Sequence, residues 1–158
     1  MRAWIGVVAL SLVCSAQGFA QGQPDAAAVC AVAEKHYAAI RAGDSNTILQ
    51  QHMPDHTYFP GDGALLWAFL SIQQQRTEFQ EMAQSFINKT YIRHCNAQVY
   101  GSTGIATYYL VGSVAVDGRT TTGTWRVTEV WVKQGTEWKE AHHHESPLVA
   151  GIAPSSKP

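Results

Sequence analysis

Beyond Lys89 the chain becomes almost uninterrupted β-forming sequence. Four runs, Thr90 to Tyr100, Ile105 to Val116, Thr120 to Lys133 and Glu137 to Ser146, are rich in Thr, Val, Tyr and Trp. Only the turn signals Gly101-Ser102-Thr103-Gly104, Asp117-Gly118 and Gln134-Gly135-Thr136 separate them. Strands this long with connections this short can only return on themselves, so this half reads as an antiparallel meander of four strands.

The first half carries the helical signal. Val29, Val32, His36, Tyr37 and Ile40 recur at three- and four-residue steps between Asp25 and Arg41, and Gly43 lies just past the end. A shorter helix is predicted from Ser45, its cap, to Met53, with Pro54 as a stop, and a short extended piece over 56–59 ends at the turn Pro60-Gly61-Asp62-Gly63. Leu66, Phe69, Leu70, Phe79, Met82, Ala83, Phe86 and Ile87 make a second stripe, predicting a helix from Ala64 to Asn88 that bends at its polar middle. Helices followed by a meander argue for an α+β domain with one sheet face covered.

The first twenty residues, MRAWIGVVALSLVCSAQGFA, hold one Arg, an apolar run from Ala3 to Val13 and then small residues to Ala20. They read as a secretory signal peptide over 1–20, since a membrane span needs roughly 20 apolar residues. The remainder suits one domain, over 24–150, and the segment 151–158 reads as a disordered tail. Export predicts a periplasmic or secreted protein without membrane attachment once the signal is cleaved. The net charge is only -1 and the Lys and Arg residues are scattered, which excludes a nucleic-acid footprint. An oxidising compartment permits Cys30 and Cys95 to pair, and buried free thiols are the alternative. Asn88-Lys89-Thr90 fits a glycosylation sequon that reads as incidental beside a bacterial-looking signal.

Three of the 7 histidines stand together in Trp138-Lys139-Glu140-Ala141-His142-His143-His144-Glu145-Ser146. Strict alternation puts Trp138, Glu140, His142, His144 and Ser146 on one face, and Lys139, Ala141, His143 and Glu145 on the other. On the preceding strand Arg126, Thr128, Val130 and Val132 face opposite to Trp125, Val127, Glu129 and Trp131. An ion held by His142 and His144 needs a further ligand. His52, His56, His94 and Glu140 are candidates, and nothing fixes any of them nearby. Hydrogen-bonded sheet histidines are the reading adopted, with no metal and no cofactor.

Glu129, His143 and Glu145 are candidates for acid/base chemistry, with Glu129 and His143 as the catalytic choice. The alternative is a solvated rim in which Glu129 and Glu145 pair with Lys139 or Lys133. Tyr37, Tyr58, Trp67, Tyr108, Tyr109, Trp125 and Trp131 can line a small-molecule cavity or fill a core.

The segments "AEKHYAAIRAGD", "DHTYFPGDG" and "WRVTEVWVKQGTEWKEAHHHESP" resemble the nuclear transport factor 2-like superfamily. The likeness is strongest to its SnoaL-like members and to the association domain of calcium/calmodulin-dependent protein kinase II. It implies a cystatin-like cone, a curved antiparallel sheet wrapped on three helices, with a pocket at the wide end and a homodimer or larger assembly. The superfamily includes isomerases, cyclases, dehydratases and non-catalytic assembly domains, so fold does not settle function. The base of a ketosteroid-type isomerase falls near Phe59, which cannot serve, although Tyr37 or His36 stands near a donor position. The arginines of the kinase hub pocket fall on Tyr109, Glu129 and Glu145, and two acids there favour a neutral or cationic guest.

The reading is therefore an exported domain that binds a small, partly apolar molecule. Tyr37, Tyr58, Trp67, Tyr109, Glu129, His143 and Glu145 line the pocket or, if the sheet curves the other way, Arg126, His142, His144 and Ser146. An isomerase, cyclase or dehydratase and an oligomeric assembly domain are the alternatives.

Overall fold

The computed structural model describes residues 22–148, so the signal peptide and the tail expected from the sequence lie outside the described residues. Helix α1 (Gly22–Ala42) buries Val29, Ala33, His36 and Tyr37 along one stripe. It ends in a paired C-terminal lock, with Gly43 N–H donating to Ile40 O at 3.1 Å and Asp44 N–H to Ala39 O at 2.9 Å. Gly43 has φ +67, where a Cβ is penalised, so glycine suits this stop. Asp44, rather than Ser45, caps α2 (Ser45–Gln51) by accepting from Thr47 N–H at 3.1 Å.

Strand β1 (His52–Phe59) follows directly, then the two-residue strand β2 (Trp67–Ala68) and α3 (Ile72–Met82). The continuous helix expected from Ala64 to Asn88 is not formed. Leu65 and Leu70 are 88% and 87% exposed while Phe69 is buried, so the apolar spacing there does not mark a buried stripe. Ser71 is extended and its hydroxyl accepts from Gln74 N–H at 3.1 Å, which starts the helix at Ile72. Phe86 and Ile87 open a strand instead.

The remaining strands are β3 (Phe86–Tyr100), β4 (Thr103–Val116), β5 (Arg119–Gln134) and β6 (Glu137–Pro147). One curved, unclosed sheet has the order β2-β1-β6-β5-β4-β3. The meander holds, yet the sheet is mixed and not wholly antiparallel, because β1 runs parallel to β6. Its long strands bend around α1, as the cone shape requires. In β4, Gly112 has φ +148, and a Cβ there would lie 2.2 Å from Lys89 O, so only glycine permits this close approach. In β3 the register shifts between Arg93 and Asn96, with His94 at φ 57.

The core joins the α1 stripe to the concave face through Ile92, Ala106, Tyr108, Leu110, Trp125, Val127, Trp131 and Trp138. Cys30 of α1 is disulfide-bonded to Cys95 beside the β3 bulge. The sequon Asn88 is buried and its amide oxygen accepts from the Thr90 N–H and hydroxyl, so it is occupied structurally. No helix among the described residues is long and apolar enough to cross a membrane.

Candidate functional site

Strict alternation fails at one residue of β6. Val130 pairs with His142 but Trp131 pairs with Glu140, so Ala141 is an extra residue in a bulge. The phase of side chains reverses across it. Trp138 and Glu140 before the bulge, and His143 and Glu145 after it, therefore share the concave face, which corrects the expected grouping of Glu140 with His142 and His144. The parallel strand β1 sets Tyr58 beside His143 and His52 beside Glu140. The pairings make a row across the concave face: Trp67, Tyr58, His143, Glu129 and Ala106.

His143 stands at the centre of a ring of acceptors. Its Nδ1 lies 3.2 Å from Glu140 Oε1 and 3.5 Å from Glu129 Oε1. Its Nε2 lies 3.5 Å from Glu145 Oε2 and 3.5 Å from the Tyr37 hydroxyl. The Tyr58 ring meets the imidazole edge-on with centroids 5.0 Å apart. Glu129 is held hard in place, since the Tyr108 hydroxyl donates to Oε1 and Trp131 Nε1–H to Oε2 at 2.8 Å. Glu145 is the most open of the three acids, with 13% of its side chain exposed against 0% and 1% for Glu129 and Glu140. The turn bearing Gly61 packs over it so closely that a Cβ would meet Glu145 Oε1 at 2.3 Å.

Electrostatics follow from this crowding. Burial opposes the charged form of His143, yet hydrogen bonding to Glu129, Glu140 and Glu145 carries its pKa well above the usual imidazole value. Burial and the charge of Glu140 push Glu129 up. Burial also raises Tyr37, Tyr58 and Tyr108, helped by the carboxylates facing them.

Behind this ring lies a second set. Nε2 of His36, His52 and His56 stand 3.4, 3.1 and 3.7 Å from Glu140 Oε2. His36 Nδ1 faces Gln51 Oε1 at 3.3 Å and His52 Nδ1 faces Gln75 Oε1 at 2.8 Å. Gln75 is oriented by its own amide, which donates to Met53 O at 2.8 Å and Pro54 O at 3.2 Å. Burial holds His36 down to about 4 and His56 to about 3 against the pull of Glu140. Glu140 is held well below the usual carboxylate range, its burial more than offset by His36, His143 and His52.

The structure thus brings Tyr37, Tyr58, Glu129, His143 and Glu145 together, and corrects the rest of the expected lining. Tyr109 pairs with Arg126, and Arg126 with Ser146, on the convex face. Tyr109 and Arg126 border an open depression of about 230 Å³ there, with His94, Thr107 and Thr128. His142 and His144 also lie outside, His142 Nδ1 being 2.7 Å from the Thr57 hydroxyl and Phe59 packing beside both. Trp67 shares the concave row but sits 44% exposed at the sheet edge near Phe69, so it forms no enclosed wall. The alternative rim is overturned as well: Lys133 pairs with Asp25 at 2.8 Å and Lys139 with Glu137 at 2.6 Å.

Alternation along β6 hid Glu140, and nothing in the sequence marks the extra residue. A signal for His36 did exist, because a histidine on the apolar stripe of a buried helix demands a polar partner.

Residues 29–150 match the family model of the SnoaL-like domain. The fold is similar to that of an NTF2-like protein from Cytophaga hutchinsonii (12% identity, TM-score 0.66, covering 80% of this chain and 98% of that one). It is equally similar to a ketosteroid isomerase-like protein from Erwinia carotovora atroseptica (14%, 0.66, 80% and 98%). The CaMKII hub of S. rosetta is also similar (26%, 0.61, 77% and 95%). No curated protein matches the chain.

Proposed function

The chain belongs to the SnoaL-like domain family, within the NTF2-like superfamily, and from that premise we propose that it is an exported domain binding a small, partly apolar molecule inside the cone. The observation that carries this reading is the buried polar cluster of Tyr37, Tyr58, His143 and Glu145 on the concave face. A protein that needed only a core would be better served by apolar groups there, since every buried charge must be compensated. Three carboxylates surround one imidazole, so the surplus is negative and suits a neutral hydrogen-bonding guest or a cationic one. The disulfide supports export, because such bonds persist in oxidising compartments. A homodimer belongs to the same proposal, supported by Tyr91 and Val111, paired neighbours that are 50% and 40% exposed.

Mass spectrometry of small molecules released from natively purified protein tests the reading. A stoichiometric compound lost in Glu145→Gln and Tyr58→Phe, both still folded, supports it. Release of nothing from the wild type, with a dimer or larger species by light scattering, favours an assembly domain instead.

One observation favours a catalytic variant of the same site: Glu145 is the open acid beside His143. In that variant Glu145 and His143 move the proton of a carbon acid, and Glu129, whose oxygens are both engaged by Tyr108 and Trp131, positions the imidazole. Hydrogen–deuterium exchange at the α-carbon of a panel of ketones, abolished by His143→Gln, is the expected result. Exchange unchanged by that substitution removes His143 from the chemistry.

A further inference from the structure

The second set of buried groups has a problem that protein hydrogen bonds do not solve. A carboxamide oxygen only accepts, and Gln75 spends its N–H groups on two backbone carbonyls, so His52 must donate from Nδ1. Gln51 spends its amide on Val32 O at 3.4 Å and leaves its oxygen to His36 Nδ1 in the same way. Both imidazoles then present bare Nε2 lone pairs to an acceptor, Glu140 Oε2. His56 Nε2 joins them, stacked on His52 with centroids 4.1 Å apart. Among the described residues, no protein hydrogen bond reaches His52 Nε2, either ring nitrogen of His56, or Glu140 Oε2. His36, His52 and His56 are each at most 6% exposed and Glu140 is 1% exposed, so bulk water cannot relieve them.

One proton placed on Glu140 or on a single imidazole satisfies one of these three contacts and leaves the others opposed. A cation held between His36, His52 and Glu140 satisfies the two closer contacts at once. The spacing agrees for two of them: bonds of about 2.0–2.1 Å in a tetrahedron put ligand atoms roughly 3.3 Å apart, and His52 and His36 Nε2 lie 3.1 and 3.4 Å from Glu140 Oε2. His36, His52 and Glu140 place their ligand atoms within 4.8 Å of one another.

We infer that His36, His52 and Glu140 form a buried site for one divalent cation of the zinc class, bound through the two Nε2 atoms and Glu140 Oε2, with His56 packed beside it. This departs from the expectation of no metal, and it differs from the ion considered for His142 and His144, which lie on the convex face. Imidazole-rich ligation selects zinc-like ions over calcium or magnesium, which take oxygen ligands. Gln51 and Gln75 are the outer partners that fix the tautomers of two ligands. A second triad, Glu129, Glu140 and His143, also has ligand atoms within 4.8 Å. It is the weaker candidate, because Tyr108 and Trp131 already donate to Glu129. With three protein ligands the site leaves a fourth coordination position open. It ties α1, β1 and β6 together, and Glu140 Oε1 passes that constraint to His143.

The test is zinc alone, titrated by calorimetry into chelator-treated, disulfide-bonded protein, with cobalt as a spectroscopic substitute. The expected result is one equivalent of zinc, a cobalt spectrum of the intense four-coordinate type, and a raised melting temperature. Glu140→Gln and His52→Ala should weaken zinc binding by more than the roughly 100-fold that an outer partner can cost, and Gln75→Ala by about 10–100-fold. The double variant His142→Ala/His144→Ala should keep the equivalent. Where a ligand variant fails to fold, nitrogen-15 correlation spectra of the wild-type imidazoles decide, since Nε2 of the buried histidines must shift on adding zinc. Less than a fifth of an equivalent bound, uptake that vanishes with the convex pair, or imidazole spectra unchanged by zinc would overturn the assignment.

Discussion

Breaking the Cys30–Cys95 bond should remove a large share of the stability. The bridge spans a sequence separation of 65 residues. In the chain-entropy treatment, closing a loop of that length restricts the unfolded chain by an amount worth about 4 kcal/mol at 25 °C. Domains of this size are stable by only about 5–15 kcal/mol, so the loss is severe but need not unfold the protein. With a urea slope of roughly 1.5–2 kcal/mol/M the unfolding midpoint should fall by about 2–3 M. The assay compares oxidised wild type, reduced wild type and Cys30→Ala/Cys95→Ala by far-UV circular dichroism in urea. Reduced and double-mutant midpoints should agree, because both lose the same constraint. The slope should rise slightly as the freed unfolded chain expands. A midpoint difference below about 0.5 M, or alkylation of both thiols without prior reduction, would refute the reasoning.

Other consequences are smaller or more local. Leu110→Ala, at a side chain 1% exposed, should cost about 3 kcal/mol, read from the same urea midpoint. Gly112→Ala should cost at least about 2 kcal/mol, because it combines a positive φ with a clash against Lys89 O; thermal melting would show the loss. Ser71→Ala should cost about 1 kcal/mol through the lost cap of α3, read from thermal melting. Tyr37→Phe, losing one hydrogen-bonding hydroxyl on the concave face, should weaken ligand binding by about tenfold. Arg126→Ala on the convex face should leave that affinity unchanged in the same equilibrium dialysis.

Much of the fold is legible in the residues because two signals agree. The stripe from Val29 to Ile40 recurs on the helical period, and Gly43 supplies the stop that this geometry needs. Likewise Asp117-Gly118 and Gly135 fall where tight turns require positive φ, with Asp117 at 49, Gly118 at 75 and Gly135 at 63. The region around Leu65 to Leu70 misled because apolar spacing cannot distinguish a buried stripe from an exposed edge loop. For the site, alternation correctly grouped Glu129 with Trp131, and His143 with Glu145. It failed at Glu140, since a bulge is a property of how two strands pair and leaves no mark in one strand alone. Tyr109 failed for the converse reason: neighbouring tyrosines on a strand necessarily face opposite ways, and only the curvature chose Tyr108 as the inner one.

The parallel seam between β1 and β6 joins His52 to Glu140 across most of the chain. During synthesis, the imidazoles of α1 and β1 emerge long before the strand that carries their carboxylate partner. Hairpins β3 to β6 can zip up locally, yet β1 has no long neighbour until the last of them is complete. During synthesis the histidine cluster can therefore be completed only once β6 has emerged, and a nascent or truncated chain lacking its final strand should expose a sticky unpaired edge just where the finished protein is most polar.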